Sequence, residues 1–132
     1  MRGQVSTEPT EMPQGTERQT KRKSLLQVLV CQGCCCGRVD RGKPEVPVDW
    51  LKAQWKVARL NPYIQLTISG CLGPCDLPNV VAVLTATGQQ WFAPLDRREH
   101  YEALLEWGRA CGAARQVEPL PQMLAERLFK RF

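Results

Sequence analysis

The chain has 132 residues, 43% of them hydrophobic, and a formal net charge of +5. A chain of this length supports one domain with a single modest core, and no apolar run approaches the roughly 18 residues that a membrane helix requires, so no membrane insertion is expected. The charge is mild and is not gathered on one element beside base-reading side chains, so no nucleic-acid partner is expected either.

The opening stretch, Met1 to Pro9, has no apolar h-region, which argues against a secretory signal and for a cytoplasmic location. Residues 1–23 are rich in Thr, Gln, Glu, Pro and Arg, lack apolar periodicity and end in Lys21-Arg22-Lys23. They read as a disordered basic tail. Leu25 to Val30 is a short aliphatic run suited to an inner strand covered on both faces, and it delivers Cys31 at its end. Gly33, Gly37, Gly42, Pro44 and Pro47 mark the following stretch as loop. Asp49 then suits the N-cap of a helix of about a dozen residues, with Val48, Leu51, Trp55 and Ala58 at helical spacing and Trp50 and Val57 widening the stripe. Asn61-Pro62 stops it, since proline disfavours helical geometry in its predecessor.

Tyr63 to Ser69 alternates, with Ile64, Leu66 and Ile68 on one face, and predicts a strand that ends at Gly70-Cys71. Val80 to Leu84 reads as another inner strand, Thr87-Gly88 as a turn and Gln90-Trp91-Phe92 as the returning partner of a hairpin. Asp96-Arg97-Arg98-Glu99 has the form of a capping box. The helix it opens sets Tyr101, Leu104, Leu105, Gly108 and Cys111 on one face and closes at Gly112. Leu120, Leu124, Leu128 and Phe132 recur every fourth residue and predict a C-terminal amphipathic helix over 118–132. The order β-α-β-β-β-α predicts an α/β sandwich with a mixed sheet and a C-terminal helical tail, its folded domain spanning 24–117.

Seven cysteines are many for a chain without an export signal, and their clustering favours metal ligation or redox chemistry over disulfides. Six lie on two loops, each following a predicted strand: Cys31-Gln32-Gly33-Cys34-Cys35-Cys36-Gly37 and Gly70-Cys71-Leu72-Gly73-Pro74-Cys75. If Cys31 pairs with Cys36, the first loop is C-x4-C; the second is C-x3-C. Four thiolates at one end of a sheet suit a [2Fe-2S] cluster, in which each tetrahedral iron takes two sulfides and two protein sulfurs.

This order of elements, with one cysteine pair after the first strand and Cys71-Leu72-Gly73-Pro74-Cys75 after the second, resembles the thioredoxin-like [2Fe-2S] ferredoxin family. The pattern is similar to the small cluster-bearing subunit of bacterial NADH:quinone oxidoreductases and to stand-alone (2Fe-2S) ferredoxin domains, and it covers roughly residues 25 to 112. The resemblance implies a thioredoxin-like fold, cluster ligands at Cys31, Cys36, Cys71 and Cys75, and a one-electron carrier without substrate chemistry of its own. It implies a redox partner protein, for which the positive charge suits an acidic docking face, with a homodimer left open. The run Cys34-Cys35-Cys36 departs from the family, which needs one ligand there, so Cys34 or Cys35 stands as an alternative to Cys36.

Glycines let backbone N–H groups approach sulfur and stabilise a reduced cluster, a role open to Gly33, Gly37, Gly70 and Gly73, while Pro74 removes one donor and stiffens its loop. Arg38, Arg41 and Lys43 would form a basic rim, opposed locally by Asp76, and Leu72, Leu77 and Pro78 an apolar collar. Cys111 reads as a buried small hydrophobe, His100 as a surface helix residue, and the four tryptophans as core or half-buried residues. No Ser-His-Asp set, P-loop or G-x-G-x-x-G fingerprint is present, so hydrolase and nucleotide-binding readings find no support. Two alternatives compete: a thiol-disulfide oxidoreductase using Cys31-x-x-Cys34, and a structural zinc site.

Overall fold

The computed structural model describes residues 17–132. Its elements run β1 (Leu26–Cys31), α1 (Val48–Val57), β2 (Ile64–Ser69), β3 (Val81–Thr85), β4 (Gly88–Phe92), α2 (Arg98–Ala114), α3 (Gln122–Ala125) and β5 (Leu128–Phe129), with one 3₁₀ turn at Val39–Arg41. The strands form one mixed sheet in the order β2-β1-β3-β4-β5. The predicted order and the α/β sandwich with a mixed sheet are therefore what the chain adopts.

Because side chains alternate along a strand, register decides which residues share a face. β1 and β2 pair in parallel with Leu26 opposite Ile64, Val28 opposite Leu66 and Val30 opposite Ile68. β3 runs antiparallel on the other side of β1, placing Val81 and Val83 opposite Val30 and Val28, and Phe92 of β4 stands opposite Val81. These residues form one apolar face, on which α1 and α2 pack. A Cβ added at Gly108 would touch Ile64, Leu60 and Trp55, and the Trp55 indole N–H donates to the Ile64 carbonyl at 2.7 Å. β1 is covered fully on this face alone, for Gln27 and Leu29 on the opposite face are half-exposed and Gln27 donates to Thr67 Oγ1. Expecting cover on both faces overlooked Gln27, a polar residue in the run.

Other departures have local causes. The helix α1 starts one residue before Asp49, which sits in its first turn, and Val57 turns to solvent. The hairpin turn is Ala86-Thr87, one residue early, because Gly88 pairs with Thr85. Gly112 does not end α2; it sits over Ile64 and Leu60, and Ala113 and Ala114 carry the helix on to a left-handed Arg115. The described part of the predicted tail, residues 17–23, is exposed and forms no helix or strand; residues 1–16 lie outside the described residues.

The largest correction is at the C-terminus, where no helix spans 118–132. One turn, α3, packs on α2, and the chain then extends as β5 along β4, with Phe129 opposite Trp91 and Leu128 opposite Phe92. Pro119 and Pro121 oppose a long helix, and the edge of β4 offers unpaired backbone groups that a strand can satisfy. The fourfold repeat is therefore not one buried face: Leu124 is fully buried, whereas Leu128 is 44% and Phe132 83% exposed. Replacing Leu124 by alanine should cost about 3 kcal/mol in denaturant unfolding, whereas Leu128→Ala should cost less than about 1 kcal/mol; equal costs would point back to a helix.

His100 is fully buried rather than on the surface. α2 begins one residue later than the sequence suggests, with Arg97 as N-cap, so His100 takes the third-position role expected of Glu99. Its Nδ1 accepts the Arg97 N–H at 3.2 Å and lies 3.5 Å from the Asp96 carboxylate. The signal was available, since the stripe through Leu104, Trp107 and Cys111 continues one turn back to residue 100. Burial, and then the positive charge of Arg127, hold the imidazole below its ordinary pKa of 6.5. The unfolded chain thus binds a proton below pH 6.5 that the folded one refuses, and stability should fall from there downward until the folded His100 also titrates. Unfolding free energy measured against pH should show this slope, and His100→Gln should remove it.

Candidate metal centre

Parallel pairing brings the two cysteine loops together. Cys31, the last residue of β1, stands opposite Ser69, the last of β2, so both strands empty into loops at the same end of the sheet. The backbone bonds continue past the strands, with Cys31 N–H donating to Val80 O at 3.0 Å and Gln32 N–H to Ser69 O at 3.1 Å. β3 starts at that end too, so the second loop leaves and returns there.

Cys31, Cys35, Cys36, Cys71 and Cys75 line one narrow pocket with Gly73, Pro74 and Val80. All four expected ligands therefore face a common space. They are arranged as two pairs. Cys31 and Cys36 are buried and hydrogen-bonded to each other, and the sulfurs of Cys71 and Cys75 lie 3.4 Å apart nearer the surface. The compact trio of metal-ligating atoms among the described residues is a different one: Cys34, Cys35 and Cys75 bring their sulfurs within 4.8 Å of one another. These thiols can hold a metal ion, for soft thiolates suit zinc, copper(I) and iron–sulfur centres.

The thiols are reluctant to ionise. Burial, reinforced by the bond to Cys31, pushes Cys36 up to about 12, although the Val80 backbone amide works the other way. Cys75 is also pushed up to about 12, first by its bond to Cys71 and then by burial. A cation entering here displaces protons and becomes the missing positive partner, so uptake is favoured by rising pH.

The scaffold around the loops includes a residue that sequence reading missed. Asn79 is fully buried. Its Oδ1 accepts the Gly37 N–H at 2.9 Å, and its Nδ2 donates to the carbonyls of Glu45, Pro44 and Leu95 at 3.0 to 3.2 Å. One amide thereby ties the first cysteine loop to the start of β3 and to the chain entering α2. Nothing in its sequence neighbourhood, a Pro-Asn beside an apolar run, distinguishes it from an ordinary turn.

Of the four loop glycines, Gly33, Gly37 and Gly73 carry a positive φ that an L side chain resists, Gly33 at +153°. Gly37 is at +77°, against the Val46 side chain, and Gly73 is at +120°, where a Cβ would come 2.7 Å from the Arg131 guanidinium. The C-terminal segment thus reaches the second cysteine loop. Gly70 has nothing within 4 Å of a Cβ position, so no close approach calls for glycine there.

Arg38 is not free as a rim charge, since it forms a two-point ion pair with Asp40 at 2.9 and 2.7 Å. Arg41 leans on the Cys34 carbonyl at 3.5 Å. Leu72 and Leu77 are half-buried against the core. Cys111 is buried as expected and accepts the Glu118 N–H at 3.3 Å. Trp55 and Trp107 are core residues, and Trp50 and Trp91 half-buried. No helix among the described residues is long and apolar enough to cross a membrane.

No protein-family model, curated protein or solved structure matches the chain.

Asn79→Ala strands one buried amide and three carbonyls. It should lower unfolding free energy by about 3 kcal/mol and weaken metal uptake by the reduced protein in a metal titration; unchanged uptake would mean that the first loop holds its shape without this tie.

Proposed function

We propose that this chain is a one-electron carrier holding a single [2Fe-2S] cluster through Cys31, Cys36, Cys71 and Cys75. The observation that supports it is the division of these sulfurs into two pairs, one from each loop, facing one pocket lined otherwise by Cys35, Gly73, Pro74 and Val80. A dinuclear core has two ends, each of which takes two thiolates, whereas a single zinc ion needs all four sulfurs around one point. When bound, the cluster supplies one reversible electron.

The chain's own residues then bind, shield and tune. Cys31 and Cys36, both buried, would hold the cluster on the side away from water, and Cys71 and Cys75, nearer the surface, would hold it where a partner can come close. The Val80 amide, directed at Cys36, offers a hydrogen bond that stabilises negative charge on sulfur and so favours the reduced state. Arg41 and Lys43 keep positive charge beside the first loop, which suits a partner with an acidic face. The thioredoxin-like family resemblance and the mixed sheet agree with this reading.

The dithiol alternative lacks a feature its chemistry uses. Cys31 and Cys34 are followed by a loop and a 3₁₀ turn, and α1 begins only at Val48, so neither thiol stands at the N-terminus of an α-helix.

Protein purified without oxygen should be coloured, contain two irons and two acid-labile sulfides per chain, and give an EPR signal on one-electron reduction. Serine at Cys36 should perturb that signal, and serine at Cys34 should leave it. A colourless protein that takes up neither iron nor sulfide on reconstitution would remove the cluster from this account.

A further inference from the structure

The two loops carry more thiols than a dinuclear core uses. Cys34, Cys35 and Cys75 form the tightest sulfur trio among the described residues, all within 4.8 Å of one another, yet only Cys75 belongs to the set assigned above. Cys34 is exposed and Cys35 and Cys75 half-buried, so the trio faces solvent while Cys31 and Cys36 lie inside. We infer that Cys34, Cys35 and Cys75 form a second, outer metal site, which takes one soft closed-shell dication of the zinc class and competes with the inner pairs for Cys75.

The geometry suits that class of ion. A zinc ion about 2.3 Å from each of three thiolates sets the sulfurs about 4 Å apart, a modest contraction of the observed trio. No carboxylate joins the group, which disfavours magnesium or calcium. A fourth position is left for water, as in zinc sites that exchange their ligands. Binding replaces three thiol protons by one dication and moves no electron. The resulting charge is negative, and the first loop places the Arg41 guanidinium beside it, bonded to the Cys34 carbonyl at 3.5 Å.

Competition follows from the shared ligand. With Cys75 engaged outside, the inner set keeps Cys31, Cys36 and Cys71, one sulfur short of what a dinuclear core needs. This consequence rests on the cluster reading; the outer site itself does not.

The test uses the full chain, reduced and metal-free, with cadmium as the probe, reading its thiolate charge-transfer band and its NMR shift, which counts bound sulfurs. Cys31→Ser together with Cys71→Ser leaves only two inner thiols and keeps the trio, so this double variant should still bind one cadmium with a three-sulfur signature. The triple variant that adds Cys34→Ser, an exposed position, should lose that signature. Identical cadmium spectra for the two variants would overturn the outer site. In a second arm, wild-type protein is reconstituted with iron and sulfide with or without one prior equivalent of zinc. Zinc should suppress the iron–sulfur spectrum in the wild type and leave Cys34→Ser untouched. Full cluster formation in the presence of zinc overturns the competition. Failure without zinc rejects the cluster reading, and the cadmium result then decides the outer site alone.

Discussion

The structure depends on one pairing, the in-register parallel ladder between β1 and β2. Parallel strands need a crossover, here supplied by α1, and they send both C-terminal ends the same way. With Cys31 opposite Ser69, the chain has no choice but to start both cysteine loops side by side. Slipping the register by one residue would turn Leu26, Val28 and Val30 away from the helices, so the burial of the core and the meeting of the thiols are enforced by the same contacts.

Around that junction the backbone is held by groups far apart in sequence. Asn79 binds the first loop from the far side of the second, and Arg131 lies over Gly73 from the last residues of the chain. The cysteines are thus set on loops, but on loops braced by distant parts of the chain. Such ties reduce the ordering that a bound metal would otherwise have to impose, which is what preorganises a site.

The thiol cluster is graded from inside to outside. Cys36 sits in the core, where burial disfavours its thiolate, while Cys34 stands in water beside basic residues. A cation resolves the conflict inside by supplying charge where solvent cannot.

Much of this was legible in the amino-acid sequence, and the part that was not has a common cause. Alternation and aliphatic runs identified β1 to β4, the apolar stripe identified α2, and the strand-then-cysteine pattern placed six thiols on two loops, because these features depend on neighbours within a few residues. The sequence could not choose the fate of Leu120 to Phe132, since a fourfold repeat supports a helix until an open sheet edge competes for the same backbone. Nor could it single out Asn79, whose partners lie 16 to 42 residues away. Local periodicity is written residue by residue, whereas the sulfur pairs, the outer trio and the amide that ties the loops exist only once distant strands are laid in register.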